Sequence, residues 1–169
     1  MSFEYQYSLC IFITYFIIAS FKGVCNNILK NIANMVTKFF MTIKIKSLDH
    51  LVITASNLQD TVDFYSRVLG MEHVEFGNGL HAMQFGSQKF NIHDASTDVT
   101  PKAENILPGS EDFCLLTETP ISGVIAHLRA CGVAIEEGPV SRSGAAGTLN
   151  SVYFRDPDGN LVEVSNVVA

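Results

Sequence analysis

An internal repeat is the feature that most constrains the fold of this chain. When the sequence is shifted by 62 residues, LDHLVIT (Leu48–Thr54) falls on SEDFCLL (Ser110–Leu116), and Gly70 falls on Gly132. Self-similarity at a fixed spacing indicates that one supersecondary unit occurs twice. A chain of 169 residues has room for one domain, or for two small modules that share a core. We therefore expect two copies of one module.

Each copy begins with a strand, followed by an amphipathic helix that ends at a glycine. In LQDTVDFYSRVLG, apolar side chains recur at helical spacing, and Gly70 can cap the C-terminus. In PISGVIAHLRACG, Pro120 lies near the start and Gly132 at the end. Three short strand-like runs follow each helix, separated by turn residues such as GNG, GSQ and DPDG. The pattern predicts an α+β fold of two βαβββ modules, about 44–95 and 108–168, in a single domain over 44–168.

The uncovered faces of two such sheets can curve around a shared cleft, and side-chain alternation decides which residues face it. In NLVEVSN, Val162 and Val164 share the face suited to packing on a helix, so Glu163 lies on the cleft face. A lone carboxylate in a strand often only faces water, and that interpretation of Glu163 remains open while this strand is considered alone.

Polar side chains occupy related positions in the other first and last strands of the modules. His50 alternates with apolar neighbours in the first strand, and Asp112 is its counterpart in the second copy. Asn91 and His93 share one face of KFNIHDA. A neutral imidazole together with carboxylates suits a divalent ion such as Mn, Fe, Co, Ni or Zn. Each residue alone would more often be structural or solvated, but the set favours a metal site.

Three other histidines receive no role from the sequence. His73 and His81 lie on strands whose facing is unclear, and His127 lies on the second helix. Cys114 and Cys131 lie in apolar patterns without metal-ligand spacing, so we expect two small buried side chains in a reducing compartment.

Composition narrows the class of partner and the compartment. The net charge of −6 disfavours nucleic acid, because phosphate binding needs a basic surface. The uncharged run Leu9–Phe21 is shorter than the roughly 20 residues of a membrane-spanning helix. We expect a cytoplasmic protein without a stable membrane span, with residues 1–40 as an extension outside the core.

Two segments resemble the vicinal oxygen chelate superfamily, which has the glyoxalase/bleomycin-resistance/dioxygenase fold. They are LDHLVITASNLQDTVDFYSRVLGM and YFRDPDGNLVEVS. Three further segments resemble a glyoxalase domain-containing subgroup: FGSQKFNIHD, PKAENILPGSEDFCLLTETP and EEGPVSRSGAAG. The resemblance covers residues 45–168 and leaves out 1–40.

The resemblance implies that inward side chains bind one divalent metal ion, which polarises a small substrate with vicinal oxygens. By position, His50 and Glu163 match the first-strand and last-strand ligands, and Glu163 is also a candidate catalytic base. Asp112 stands where many members have histidine or glutamate. His93, or Asn91 beside it, falls near the fourth-strand ligand.

Three function classes remain open. The first is a metal-dependent glyoxalase-like enzyme of the lyase or isomerase class. The second is an extradiol-type dioxygenase, against which Asp112 in place of a histidine argues. The third is a metal-free binding module of the bleomycin-resistance type. For each we expect a small-molecule ligand and a homodimer.

The segment Gly138–Gly147 is expected to be a mobile lid over the cleft, because it is rich in glycine and proline. It carries Arg142, whose planar guanidinium suits an anionic substrate group. Arg142 and Tyr153 are the predicted substrate-binding residues, although a solvated loop arginine is the slightly more ordinary interpretation.

Overall fold

The computed structural model describes residues 43–168 of the chain. The compact unit that begins at Ser47 contains both copies of the repeat. The expectation for residues 1–40 lies outside the described residues. Within residues 43–168, no helix combines the length and the apolar character that crossing a membrane requires.

The first module forms one four-stranded mixed sheet with one helix. Its strand order is β1-β4-β3-β2, with β1 parallel to β4 and the other neighbours antiparallel. The elements are β1 (His50–Ala55), α1 (Leu58–Leu69), β2 (Glu72–Phe76), β3 (Leu80–Phe85) and β4 (Gln88–Asp94).

The second module repeats this arrangement. Its strand order is β5-β8-β7-β6, with β5 parallel to β8. The predicted α+β class with two βαβββ modules is therefore confirmed, and each module has its own sheet. The elements are β5 (Asp112–Leu116), α2 (Ile121–Ala130), β6 (Ile135–Gly144), β7 (Gly147–Arg155) and β8 (Leu161–Val167).

Local signals set both ends of α1. At the N-terminus, Asn57 Oδ1 accepts hydrogen bonds from the backbone N–H groups of Gln59 and Asp60, at 3.0 and 3.3 Å. At the C-terminus, Gly70 adopts φ 66°, the left-handed cap conformation that glycine reaches without strain. The capped helix buries one apolar face against the core; the buried residues are Thr61, Val62, Phe64, Tyr65 and Val68.

One hydrophobic core joins the two modules through the helix-covered faces of their sheets. Phe90 of β4 packs on Phe113 of β5 with ring centroids 4.8 Å apart. Phe64 of α1 packs on Phe154 of β7 at 6.3 Å. Since the modules share the core on this side, the opposite face of each sheet is left uncovered by a helix.

Polar contacts tie the DPDG turn before β8 to α1 and to the loop just before it. The buried Tyr65 hydroxyl donates a hydrogen bond to Asp156 Oδ2 at 2.8 Å. The Asp158 carboxylate accepts one from the backbone N–H of Ser56 at 2.9 Å and one from Thr61 Oγ1 at 3.2 Å. These contacts between modules fix the point at which β8 enters the second sheet.

The prediction of a mobile loop over Gly138–Gly147 is wrong, because most of this segment is strand. It forms the second half of β6 and pairs antiparallel with β7, with register shifts between Ile135 and Val140. A Cβ atom added at Gly138, where φ is 121°, would lie 2.6 Å from the Ser151 carbonyl oxygen. The glycine therefore serves a bulge and a close backbone approach, a role that composition does not distinguish from a loop.

Candidate functional site

Each sheet has a face that packs on the core and a face without a helix, which we call the free face. In β8, Val162 and Val164 are 0% and 5% exposed and belong to the core. Glu163 lies between them and therefore on the free face, as predicted. Opposite Glu163 in the register are Cys114 of β5 and Tyr153 of β7.

Hydrogen-bond donors surround the Glu163 carboxylate. Ser165 Oγ donates to Glu163 Oε1 at 3.0 Å, and Ser151 Oγ lies 2.8 Å from Ser165 Oγ. Burial acts to raise the pKa of Glu163, but hydrogen bonds from Ser151, Ser165, Tyr153 and Cys114 outweigh burial and hold the pKa below its usual value. Glu163 is therefore ionised at neutral pH, as a metal-binding carboxylate must be.

The free cysteine beside Glu163 is not the buried side chain that the apolar pattern predicted. Cys114 is exposed, and Cys131 is only half-buried. The Cys114 sulfur lies 3.4 Å from Ser165 Oγ. Desolvation raises the pKa of the Cys114 thiol, the hydrogen bond to Ser165 lowers it, and the charge of Glu163 raises it further. The thiol is therefore protonated at neutral pH and acts as a donor.

Arg142 lies on β6 beside this group. Its Nε donates a hydrogen bond to the Tyr153 hydroxyl at 3.2 Å, and its Nη2 forms an ion pair with Glu137 Oε1 at 2.8 Å. The guanidinium carbon lies 5.3 Å from the centre of the Tyr153 ring. Arg142 and Tyr153, the two predicted substrate-binding residues, are thus in contact, and a strand rather than a loop holds the arginine.

On the first sheet, His50 has a carboxylate partner that sequence reasoning missed. Asp49 Oδ1 lies 2.8 Å from His50 Nδ1, and both side chains are partly or largely exposed. Metal-binding histidines usually donate one ring N–H to a carboxylate, which orients the other nitrogen toward the ion. The adjacent Asp-His pair in LDHLVIT was the available signal.

The strand register distinguishes Asn91 from His93, which the sequence left as alternatives. In the first sheet, the residue two positions after His50 lies opposite Asn91. In the second sheet, the residue two positions after Asp112 lies opposite Glu163. Asn91 is therefore the counterpart of Glu163 in the repeat, and His93 lies two residues farther along the same face.

Asn91 and His93 offer two different donors on the free face. Asn91 Oδ1 is buried and has no hydrogen-bond partner, which is rare because buried polar atoms are nearly always paired. His93 is half-buried, and burial lowers its pKa, so its imidazole is neutral and carries a free lone pair. Both donors are chemically suited to a divalent ion.

The predicted metal ligands form two separate pairs in the described chain. His50 and His93 lie on the first sheet, and Asp112 and Glu163 lie on the second. Among residues 43–168, no three of these four side chains have ligand atoms within 4.8 Å of one another. Each sheet therefore carries two of the four predicted ligands, and within residues 43–168 no three of them come together.

Comparison with known proteins identifies related sequences. The family model of the Glyoxalase/Bleomycin resistance protein/Dioxygenase superfamily matches residues 47–164. The chain is 44% identical over 140 residues to a virulence protein of Salmonella typhimurium, covering 82% of this chain and 97% of that protein. It is 47% identical over 124 residues to a glyoxalase domain-containing protein of Mycosarcoma maydis, covering 73% and 70%.

Solved structures with the same fold include an integron cassette protein from the mobile metagenome of V. cholerae. That protein is 48% identical, with a TM-score of 0.74, and the match covers 76% of this chain and 100% of the other. A lactoylglutathione lyase from Agrobacterium tumefaciens is 25% identical, with a TM-score of 0.58, covering 73% and 95%.

Proposed function

Because the chain belongs to the glyoxalase/bleomycin resistance protein/dioxygenase superfamily, we propose that it is a metal-dependent glyoxalase-like enzyme of the lyase or isomerase class. Its substrate would be a small molecule with vicinal oxygens. The observation that carries this proposal is the Glu163 carboxylate on the free face of the second sheet, which accepts a hydrogen bond from Ser165 Oγ at 3.0 Å and whose pKa hydrogen bonding holds below its usual value. A solvated strand glutamate has no need of such an environment.

The donors on the two free faces are suited to one divalent ion. His50, Asp112 and Glu163 would hold it, together with Asn91 or His93. Imidazole, carboxylate and amide donors suit Mn, Fe, Co, Ni or Zn. Such an ion acts as a Lewis acid on substrate oxygens. The unpaired Asn91 Oδ1 supports this assignment, because a ligand would give it the partner that the described residues do not.

A second copy of the chain would complete the ligand set. The two halves of the set lie on different sheets, and the sheets join through their opposite, core-packed faces. Free-face strands also expose apolar side chains: Leu116 is 56% exposed and Val167 is 47% exposed. In a homodimer, the first sheet of one protomer would face the second sheet of its partner. That arrangement would bring the two pairs of ligands together in a shared cleft.

In this proposal, Glu163 has a second role as a base. A carboxylate can remove a proton from a carbon next to a carbonyl when it is ionised and close to that carbon. The low pKa of Glu163 keeps it ionised. Burial raises the pKa of the neighbouring Tyr153 hydroxyl and of the Cys114 thiol, so both stay protonated. Through their hydrogen bonds to Glu163 they would keep the carboxylate in position.

Glu163→Gln tests the metal site. The amide is isosteric but uncharged. Mutating a residue that only supports a metal ligand typically costs roughly 10–100-fold in metal affinity, so the loss of a charged ligand should cost at least as much. The measurement is elemental analysis of chelator-treated protein after reloading with Mn²⁺, Ni²⁺ or Zn²⁺. Glu118→Gln, at an exposed glutamate outside the free faces, is the matched control. Equal metal content in the two variants would return Glu163 to a structural role.

Arg142 is the proposed binding group for an anionic part of the substrate. A substrate carboxylate could replace Glu137 as the partner of the Arg142 guanidinium, and the arginine would keep a charge-assisted hydrogen bond. Arg142→Ala should therefore weaken binding of an anionic 2-oxo or 2-hydroxy acid by roughly 1.5–3 kcal/mol while leaving the metal content unchanged. Arg129→Ala, on the exposed face of α2, is the control. Affinity equal to that of the control would leave Arg142 as a surface residue.

A metal-free binding module is the second candidate, favoured by the separation of the predicted ligands within the described chain. Wild-type protein that takes up no metal attributable to Glu163, yet binds small molecules in calorimetry, would support it. The extradiol-type dioxygenase remains distinguishable by experiment, because only that activity consumes oxygen when the Fe²⁺-loaded protein meets a catechol.

A further inference from the structure

A second group of potential metal ligands lies on the opposite face of the first sheet. In the hairpin of β2 and β3, Glu75 is directly opposite His81, and His73 precedes Glu75 by two residues. All three therefore point to one side of the sheet. On that side His73 is opposite Met83, a core residue. The group is thus separated by the sheet from His50 and the free face.

The three side chains converge at the sheet edge. His73 Nε2 lies 3.0 Å from His81 Nδ1, and the two rings are stacked at 5.3 Å with an interplanar angle of 13°. One ligand atom from each of the three residues lies within 4.8 Å of the other two. No other group of three or more His, Cys, Asp or Glu side chains in residues 43–168 is this close.

The contact between the imidazoles needs an explanation. Two neutral imidazoles can share one hydrogen between facing nitrogens, but the remaining lone pair then has only water as a partner. His73 and Glu75 are exposed, and His81 is half-buried, so an ion can reach the group from solvent. Two nitrogens and one carboxylate oxygen would occupy one side of that ion, leaving its other positions to water.

We propose that His73, Glu75 and His81 form a divalent transition-metal site that binds Ni²⁺ or Cu²⁺. Two nitrogens about 2.1 Å from one ion are about 3.0 Å apart at a right angle, but about 3.4 Å apart at the tetrahedral angle. The observed 3.0 Å is also the length of a hydrogen bond between the two rings, and it is short enough for both nitrogens to bind one ion. Right-angled coordination by nitrogen and oxygen donors is typical of Ni²⁺ and Cu²⁺, which also lead the affinity series for such donors.

The site would act on the sheet rather than on the substrate. β2 is the edge strand of the first sheet, and its only neighbour among the described strands is β3. An ion bound by residues of both strands cross-links the edge of the sheet. Because the ion binds the folded hairpin and not the separated strands, it should stabilise the fold in proportion to its free concentration.

Calorimetric titration of untagged, full-length protein with Ni²⁺ tests the proposal. His73→Ala and His81→Ala should each lose one Ni²⁺ per chain, and Glu75→Gln should weaken that Ni²⁺ by about tenfold or more. His127→Ala, at an exposed helical histidine, should retain it. Glu163→Gln should also retain it, which separates this site from the proposed cleft. Wild-type protein should gain melting temperature with Ni²⁺, whereas His73→Ala should not.

Two results would overturn this assignment. One is His73→Ala protein that binds Ni²⁺ with wild-type stoichiometry and affinity. The other is wild-type protein whose bound Ni²⁺ disappears entirely in Glu163→Gln. Because both histidines lie in a partly exposed hairpin, the alanine variants should remain folded, and circular dichroism verifies this before titration.

Discussion

At the scale of single residues, Glu163 and Cys114 are neighbours on the free face of the second sheet. They lie opposite each other in the register of β8 and β5, and both contact Ser165. The serine hydroxyl donates to the carboxylate and faces the thiol, so the charge of one group acts on the ionisation of the other. The ionised carboxylate and the protonated thiol are therefore mutually consistent at neutral pH.

Alkylation of Cys114 reports on this pairing. Only the thiolate reacts, and both desolvation and the nearby Glu163 charge raise the thiol pKa. The rate of reaction with iodoacetamide should therefore rise with pH along a curve whose midpoint lies above the ordinary thiol pKa. Glu163→Gln should move that midpoint to lower pH and speed the reaction at neutral pH.

Mass spectrometry resolves Cys114 from Cys131 in this experiment, because the two residues fall in different peptides. Glu118→Gln again serves as the control for a lost negative charge. If Glu163→Gln and Glu118→Gln react at the same rate, then Cys114 and Glu163 do not face each other on the sheet.

Alternation along a strand was enough to predict which face Glu163, His50 and Asp112 occupy. It was not enough to choose between Asn91 and His93, because residues two apart always share a face. Only the register of β1 against β4 identifies Asn91 as the counterpart of Glu163, and register depends on pairing between distant segments. For the same reason, the contact between His73 and His81 could not be predicted from the sequence.

At the scale of elements, the DPDG turn links strand β8 to helix α1. Burial raises the pKa of the Tyr65 hydroxyl far above its usual value, and the adjacent Asp156 charge raises it further. The hydroxyl therefore remains a donor at neutral pH. The sequence predicted the turn from its residues and α1 from its periodicity. It did not predict their contact, which requires the modules to be packed.

Tyr65→Phe tests the link between turn and helix. The variant keeps the buried ring but removes the hydrogen bond to Asp156, leaving that carboxylate with fewer partners. We expect a loss of about 1–3 kcal/mol in the free energy of unfolding, measured by urea denaturation. Tyr153→Phe, at a tyrosine that is only half-buried, should cost much less. Equal losses in the two variants would show that the turn does not depend on this bond.

For strand β6, amino-acid composition predicted the wrong secondary structure. Glycine and proline in GPVSRSGAAG were interpreted as a mobile loop, but they occupy β-bulges and a hairpin turn between β6 and β7. Turns, bulges and loops all use the same residues because all of them need unusual backbone conformations. Arg142 consequently has a defined position beside Tyr153, held by an ion pair and a hydrogen bond.

At the scale of the whole molecule, the repeat generates two free faces that each carry two of the four predicted metal ligands. The aromatic contacts between modules lie on the core-packed faces, so they leave both free faces available. In a two-fold symmetric dimer, the first-sheet free face of each protomer would lie against the second-sheet free face of the other. The dimer would then contain two equivalent sites. The repeat and the candidate ligands could be predicted from the sequence. The sequence of one chain does not indicate which surface covers each free face.

Complementation between two defective chains tests this account most directly. His50→Ala and Glu163→Gln chains are co-expressed with different tags that lack histidine, and hybrid dimers are isolated by sequential capture. In the hybrid, one cleft joins the intact His50 of one protomer to the intact Glu163 of its partner. The hybrid should therefore bind about half the wild-type metal per dimer, above the background of the double variant. Hybrids that bind no more metal than either variant alone would contradict a site shared between protomers.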